Sequence, residues 1–252
     1  MKNITIVGSG NLATNLAIEL KKKDFNIVEI YSKSQESAKE LSNKIKSKYT
    51  TNLSNLKKTD LFIICVKDDA IKQVISEIKF KDTPIIHSSG VTGLDVFEGK
   101  KIYGVLYPIQ TFKKDISISF KDIPICIESN DANFKDKLCD IANRISGSVY
   151  SINTDARRRI HLAAVFACNF SNHMITISEK ILNEKNLDIS LLDKLIDQNI
   201  ENIRKYSAKA SQTGPAKRND KKTIEKHLKL LKDDNFKKIY LEISRNISKE
   251  HQ

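Results

Sequence analysis

A short turn near the start of the chain has the residue types and spacing of a phosphate cradle. The apolar run Ile4–Val7 predicts a buried strand, and residues 11 to 22 predict an amphipathic helix. Gly8, Ser9 and Gly10 join the strand to the helix, and Asn11, Leu12 and Ala13 form the first turn of the helix. Gly8 permits a tight turn, Gly10 lets the backbone approach a pyrophosphate, and Ala13 lets the helix pack closely on the strand. This pattern predicts a dinucleotide site, although a turn of small residues that binds nothing is the alternative.

The end of the second predicted strand carries the residues that would choose between NAD and NADP. An NAD site usually places an acidic residue there to hold the ribose 2′-hydroxyl. Here Glu29 lies inside the strand, and the strand end is followed by Ser32, Lys33 and Ser34. Two hydroxyls and a cation suit a 2′-phosphate, so we expect NADP rather than NAD. The alternative is an exposed turn with a lysine in a lysine-rich protein.

Two further strand ends contribute to the predicted cofactor site, because ligands of such sheets bind beyond the carboxyl ends of the strands. Val66 and Lys67 follow one strand, and Ser88 and Ser89 follow the next. The two aspartates after Lys67 are alternatively a helix N-cap. The two serines alternatively only shape a turn.

A long helix in the second half collects neutral hydrogen-bonding side chains on one side. At about 100° per residue, His161, Asn169, Asn172 and His173 share an arc of about 120° on a segment without charge. We expect this arc to face the nicotinamide, with a histidine as proton donor and the amides holding a carbonyl or amine. A satisfied interhelical network or a dimer interface explains the arc equally well. The packing stripe of this helix is predicted to be Ala163, Ala167, Phe170, Met174, Ile177 and Ile181.

Basic residues flank the helical segment at two places. Arg157, Arg158 and Arg159 could hold an anionic substrate, although a solvated first helical turn explains them better. Arg218 follows a rigid Gly-Pro turn and precedes Asp220, which is a predicted N-cap. Arg218 therefore either reaches a substrate or cofactor phosphate, or pairs with Asp220.

The order of the predicted elements indicates an α/β fold. Apolar runs alternate with amphipathic helices up to residue 152, and only helical periodicity follows. We expect a Rossmann-type, doubly wound parallel sheet over residues 1–152 and an all-helical substrate or dimerisation domain over residues 153–252. The eight expected strands are Asn3–Val7, Ile27–Tyr31, one near Tyr49, Leu61–Val66, Pro84–His87, Ile102–Leu106, Ile123–Ile127 and Ser148–Ser151.

Composition argues against several other classes of protein. The formal charge of +12 is spread over nearly every segment without an aromatic stripe or nucleic-acid-binding motif, which favours a solvated lysine-rich surface. The four cysteines are scattered without metal-ligand spacing, so no metal site is expected. The first residues lead directly into a strand, and the least charged stretch contains polar residues. We therefore expect a cytoplasmic protein that binds neither nucleic acid nor membrane.

With both halves described, the chain resembles the superfamily of 6-phosphogluconate-dehydrogenase-like and pyrroline-5-carboxylate-reductase-like proteins. Within it, the chain is most similar to Rossmann proteins that carry a C-terminal domain of unknown function. The segments that carry this similarity are Val7–Ala13, His87–Gly90, Tyr107–Phe112, His161–Phe170 and Thr213–Asp220. The resemblance implies a C-terminal domain like that of 6-phosphogluconate dehydrogenase, an NADP-dependent oxidoreductase activity without an established substrate, and a homodimer formed through the helical domain.

The chain departs from the family pattern at three positions. Tyr107 stands where a histidine is expected, Lys33 stands near an expected arginine, and Asn219 replaces a glycine. Tyrosine still donates a hydrogen bond and lysine still pairs with phosphate. Asparagine tolerates the left-handed backbone that glycine adopts.

Three functions compete at this stage. The first is a reductase that moves hydride between NADPH and a small carbonyl or imine, for which replacing His161 or Asn169 by alanine should abolish turnover but preserve NADPH binding. The second is a non-catalytic NADP-binding sensor or scaffold. The third is an imine reductase like pyrroline-5-carboxylate reductase, which is disfavoured because Gly214-Pro215-Ala216 lies late in the helical domain.

Overall fold

The computed structural model describes residues 1–251, and its first half is built on one eight-stranded sheet. The order of the strands across the sheet is β3-β2-β1-β4-β5-β6-β7-β8. The strands are β1 (Asn3–Val7), β2 (Asn26–Tyr31), β3 (Lys48–Thr50), β4 (Leu61–Ile64), β5 (Ile85–His87), β6 (Tyr103–Pro108), β7 (Ile125–Ser129) and β8 (Val149–Ser151). All eight predicted strands are present, with ends shifted by one to two residues in most cases.

The first six strands run parallel in the order 3-2-1-4-5-6, which is the order of the dinucleotide-binding Rossmann fold. The chain reverses its direction of travel across the sheet between β1 and β4, and this is where such sheets bind ligands. The last two strands extend the sheet differently, because β7 pairs antiparallel to β6 and β8 runs parallel to β7. The predicted parallel sheet is therefore confirmed, and its last two strands run opposite to the first six.

Helices cover the sheet and make up most of the rest of the chain. The helices are α1 (Asn11–Lys22), α2 (Gln35–Ile45), α3 (Ile71–Glu77), α4 (Ala132–Ile145), α5 (Thr154–Ala164), α6 (Ser171–Asn183), α7 (Asp193–Tyr206), α8 (Ala208–Ser211), α9 (Lys221–Leu230) and α10 (Asp234–His251). The sheet is buried on both faces because its side chains alternate. In β1, Ile4 and Ile6 pack in the cluster that includes Leu16 of α1, whereas Val7 packs in the cluster that includes Ile75 of α3.

The long helix that follows β8 is not α-helical throughout. Between α5 and α6, residues Val165–Phe170 form a π-helical turn, in which each N–H bonds five residues back instead of four. The prediction of one α-helix from Thr154 to about Asn183 has the right ends but misses this turn. The arithmetic of 100° per residue therefore fails across residues 165 to 170, and the predicted arc of four polar side chains does not follow from it.

The chain divides into two compact units, Met1–Val165 and Phe166–Gln252. The last strand ends at Ser151, next to the predicted domain boundary at residue 152, whereas the compact units separate later, inside the π-helical turn. Where the domains divide functionally stays a prediction.

The second unit buries few of its own apolar side chains. Both clusters of buried apolar residues consist of first-unit residues, and the described apolar residues buried in the second unit are Ile177 and Ala216. Met174, Ile177 and Ile181 of the predicted stripe line an apolar groove of about 250 Å³, together with residues of α10. Ala163, Ala167 and Phe170 are exposed instead, so the first half of the predicted stripe is wrong.

The stretch Thr154–Asn183 also has a membrane-like composition. It is 30 residues long, and its most apolar window has a mean hydropathy of 1.2 with none of that window buried. Length and composition alone make it a candidate span, which is weak evidence because apolar helices that pack against protein have the same properties. The absence of membrane contact stays a prediction.

Candidate functional site

The turn after β1 contains two glycines that are needed for different reasons. Gly8 has a φ of +132°, and a Cβ there would lie 2.2 Å from the carbonyl oxygen of Cys65 on the neighbouring strand end. The sheet itself therefore requires glycine at position 8. A Cβ on Gly10 would meet nothing within 4 Å, and its φ of −76° is ordinary. Nothing in the fold requires a glycine at position 10, so the space it leaves is available to a ligand.

This space fits the pyrophosphate of a dinucleotide. Gly10 is the N-cap of α1 and offers no side chain, so the first N–H groups of the helix remain available to an anion. Ala13 is fully buried, as expected for a residue that lets α1 pack closely on the sheet. Asn11 is exposed and Leu12 half-buried, and neither lines the cavity described next.

A cavity of about 610 Å³ lies beyond the carboxyl ends of β1, β2 and β4. Its lining includes the predicted cofactor residues Gly8, Ser9, Gly10, Ser32, Lys33, Ser34, Val66 and Lys67. The Ser9 hydroxyl donates to the Ser32 hydroxyl at 2.8 Å, which ties the glycine turn to the end of β2. The Ser34 hydroxyl accepts from the N–H of Ser37 at 3.2 Å and caps α2. Lys33 and Lys67 are exposed cations at this cavity.

The two serines after β5 have structural partners. The Cys65 thiol donates to the Ser88 hydroxyl at 3.7 Å, and burial of that thiol raises its pKa to about 12, so it stays neutral. The Ser89 hydroxyl accepts from the N–H groups of Val91 and Thr92 at 3.2 and 3.0 Å. Ser89 therefore has the turn-shaping role that was the alternative to cofactor binding. Ser88 contacts Cys65, which lines the cavity.

The aspartates after Lys67 cap no helix with their side chains. Residues Asp68–Ala70 form a 3₁₀ turn whose N-cap is Lys67, and α3 begins after Ala70 without a side-chain cap. The N-cap alternative is therefore wrong, and Asp69 lines the cavity.

The loop from Ser88 to Gly93 is held by the start of α5. Arg157 is 1% exposed, donates to the carbonyl oxygen of Thr92, and forms an ion pair with Glu128. Arg158 donates to the carbonyl oxygen of Val91 at 2.7 Å. The prediction of a solvated first turn is therefore wrong for Arg157, whereas Arg158 and Arg159 are exposed, and Arg159 pairs with Asp155 at 3.0 Å. Sequence spacing gives no signal for this difference, because Glu128 lies on a distant strand.

His161 lies against the same loop and bonds to Tyr107 at the end of β6. The Tyr107 hydroxyl is 3.0 Å from Nδ1 of His161, and the two rings pack edge to face. A Cβ on Gly90 would lie 2.6 Å from the same nitrogen, so the ring rests directly on the loop backbone. Burial raises the pKa of Tyr107, which keeps its phenol protonated at neutral pH. The pair is therefore a positioned hydrogen-bond donor at the edge where β4, β5 and β6 end.

The other predicted substrate-side residues lie in the second unit. Asn169 falls in the π-helical turn, Asn172 and His173 begin α6, and all three side chains are exposed. Arg218 is exposed as well, in a turn where Asn219 has the predicted left-handed backbone, with a φ of +53°. Asp220 caps α9 as predicted, by accepting from the N–H of Thr223 at 3.1 Å. Their role at a substrate stays a prediction.

His87 makes the fold sensitive to acid. It is fully buried, its Nε2 is 3.3 Å from the carbonyl oxygen of Gly93, and its Nδ1 accepts from the N–H of Ser89 at 3.2 Å. Burial, reinforced by the Arg157 charge, lowers its pKa to about 4. The unfolded chain binds this proton near pH 6.5 and the native chain only near pH 4. The folded state is therefore expected to lose about 3 kcal/mol as the pH falls through that window.

Urea unfolding at several pH values checks this, with His87→Gln as the variant that cannot titrate. The variant is expected to be less stable at pH 7 but to lose less stability between pH 6.5 and 4 than the natural chain. Parallel curves for the two proteins would show that His87 is not the group responsible.

Two family models match the chain, one in each half. The model for NADP oxidoreductases described as coenzyme F420-dependent matches residues 3–89, and the model for a domain of unknown function, DUF2520, matches residues 123–247. A search of the curated proteins found no match.

Solved structures extend the match over the whole chain. A presumed NADP oxidoreductase from Bacteroides fragilis is 38% identical, with 98% of each chain covered and a TM-score of 0.93. A protein from Thermotoga maritima is 25% identical, again with 98% of each chain covered and a TM-score of 0.73. A pyrroline-5-carboxylate reductase from Coxiella burnetii shares the fold at 15% identity, with 99% of this chain and 97% of that chain covered and a TM-score of 0.60.

Proposed function

Since this chain belongs to the family of Rossmann-type NADP oxidoreductases that carry the DUF2520 domain, we propose that it transfers hydride between NADPH and a small carbonyl or imine compound. The observation that carries the proposal is the Tyr107–His161 pair, which lies at the same sheet edge as the glycine turn. Adjacent strands are about 4.8 Å apart, so the end of β6 is about 10 Å from the end of β4. A dinucleotide bound on the glycine turn would have its reactive ring toward that side.

A chain of contacts links the pair to the cavity. Cys65 lines the cavity and bonds to Ser88, the loop that Ser88 begins reaches Gly90, and Gly90 supports His161. The bound cofactor supplies the hydride. The chain supplies the proton, which we assign to the Tyr107–His161 pair because a neutral phenol and an imidazole in hydrogen-bond contact can pass one proton to a substrate oxygen or nitrogen.

We further propose that the cofactor is NADP. Ser32, Lys33 and Ser34 follow β2, where an NAD site usually has an acidic side chain. The Ser32 hydroxyl is fixed by Ser9, and Lys33 is an exposed cation at the same cavity. A hydroxyl and a lysine ammonium both bond to phosphate oxygens, whereas neither selects a free ribose hydroxyl as a carboxylate does.

Steady oxidation of NADPH tests the proposed reaction. The purified protein is incubated with NADPH and a panel of small carbonyl and imine compounds, pyrroline-5-carboxylate among them, and absorbance loss at the nicotinamide band is followed. Turnover of at least one member supports the oxidoreductase. Tight NADPH binding without turnover across the panel would favour the non-catalytic sensor instead, and turnover of pyrroline-5-carboxylate alone would favour the specific imine reductase.

We further propose that the protein is a homodimer formed through the second unit. We also propose that it is cytoplasmic and binds neither membrane nor nucleic acid. Large apolar side chains stay exposed along the second unit, and most soluble proteins bury such surface against a partner. They include Phe166, Phe170, Ile181, Leu187, Leu191, Leu195, Ile200, Ile203, Tyr206, Leu230 and Ile243. We propose a second copy of the chain as the partner, because it carries the same exposed apolar surface and is always available.

Leu195→Glu is expected to convert this dimer to a monomer, because Leu195 is 67% exposed on α7 and a carboxylate there would have to be buried in the interface. Analytical ultracentrifugation measures the mass. Asp197→Lys is the control, since Asp197 lies about 200° from Leu195 around the same helix and its substitution changes the charge there instead. A monomeric natural chain, or a variant that stays dimeric, would contradict this interface.

A further inference from the structure

The segment between β6 and β7 is fixed against the start of the chain. The N–H of Ile109 bonds to the carbonyl oxygen of Pro124 at 2.8 Å. Phe112 and Phe120 are buried and stack with ring centres 5.3 Å apart. Nδ2 of Asn15, in α1, donates to the carbonyl oxygen of Lys113 at 3.0 Å. These contacts place residue 114 beside the helix whose first turn faces the cavity.

Lys114 contributes to the lining of that cavity, although it is far in sequence from every other residue there. It lines the cavity together with Ser32, Lys33 and Ser34. Its Nζ lies 4.0 Å from Oε2 of Glu40 in α2. Because α2 begins beside Ser34 at the end of β2, this contact locates the ammonium on the β2 side of the cavity, away from β5 and β6.

The charge of Lys114 is only loosely neutralised. Glu40 lies 2.8 Å from Lys44 but 4.0 Å from Lys114, and its carboxylate is about half exposed. The hydrogen bond from Lys44 is the main cause that lowers the pKa of Glu40. Glu40 is therefore held mainly by Lys44, so the Lys114 ammonium can exchange this weak contact for a stronger anion.

We propose that Lys114 is a second cation for the 2′-phosphate of NADP and, with Lys33, determines the preference for NADPH over NADH. This inference rests on the proposed use of NADP. A 2′-phosphate at the end of β2 would lie between the two lysines, with the Ser32 and Ser34 hydroxyls as further donors. A dianion there gains from two flanking cations more than from one, whereas a free ribose hydroxyl gains from neither.

Lys114→Ala is expected to weaken binding of adenosine 2′,5′-bisphosphate by about tenfold and to leave binding of adenosine 5′-monophosphate unchanged. Isothermal titration calorimetry with both compounds measures this without any turnover, and NADPH and NADH titrations should show the same contrast. Lys113→Ala is the matched control, because Lys113 is exposed, does not line the cavity, and anchors the segment through its backbone only. Lys114→Arg is expected to keep the preference, and Glu40→Gln to strengthen bisphosphate binding.

The outcomes separate this inference from the proposed function. A natural chain that binds bisphosphate and monophosphate equally would overturn the NADP preference and the role of Lys114 together. Discrimination that survives Lys114→Ala would leave NADP in place and overturn the role of Lys114. Equal weakening of both compounds in Lys114→Ala, or the same loss in Lys113→Ala, would assign the segment a structural role instead.

Discussion

Gly10→Ala is expected to weaken NADPH binding by about a hundredfold or more while leaving the thermal stability of the protein nearly unchanged. The added methyl group meets no protein atom within 4 Å, and the backbone at position 10 suits any residue. The methyl group would instead occupy the space in front of α1 that we assign to the pyrophosphate. Calorimetric titration with NADPH and a melting curve of the free protein measure the two effects.

Gly8→Ala is the matched comparison, because it places the same methyl group two residues earlier. There the Cβ would lie 2.2 Å from a carbonyl oxygen and the φ is strongly positive. We expect a loss of about 3 kcal/mol or more of unfolding free energy, with binding lost as a consequence. Normal NADPH affinity in Gly10→Ala would instead favour the alternative that the turn consists of small residues and binds nothing.

The fold was predictable because it depends on local periodicity. Buried strands such as Ile4–Val7 and amphipathic helices such as α1 show their apolar faces within a few residues, and the glycine turn joins them at a fixed spacing. Right-handed crossovers between parallel strands then limit the strand orders that such a sheet can adopt. The exception is the π-helical turn at Val165–Phe170, which no count of apolar residues reveals.

The candidate site was less predictable because its contacts join residues far apart in the chain. Tyr107 and His161 are separated by 54 positions, and Arg157 meets Glu128 across 29. The sequence presents Arg157 as one of three consecutive arginines, although only one of the three is buried. Lys114 stands in a lysine-rich chain without any local sign that it reaches the cavity. Tyr107 and His161 were each visible as part of a family motif, and His161 was a predicted substrate-side residue, but the contact between them was not visible.

Tyr107→Phe is expected to lower kcat for the reduced substrate by about 10²-fold to 10⁴-fold and to leave NADPH affinity unchanged. The substitution removes only the hydroxyl that contacts His161, so the ring packing remains. His161→Ala should lower kcat to a similar degree, and the double variant should be no worse than either single one if the two groups act as one donor. Steady-state kinetics with a substrate from the panel, together with NADPH titration, give these values.

Tyr103→Phe provides the control, since it removes a hydroxyl from the same strand at its opposite end. Tyr107→His supplies the residue that the family pattern has at this position and should retain much of the rate, because imidazole can also donate a proton. Burial raises the pKa of Tyr107, so the natural enzyme should keep its reductive activity through the pH range in which an ordinary tyrosine begins to ionise. Additive losses in the double variant would separate the two residues. An unchanged kcat in Tyr107→Phe would leave His161 alone or His173 as the proton donor, the two histidines between which the sequence left the choice open.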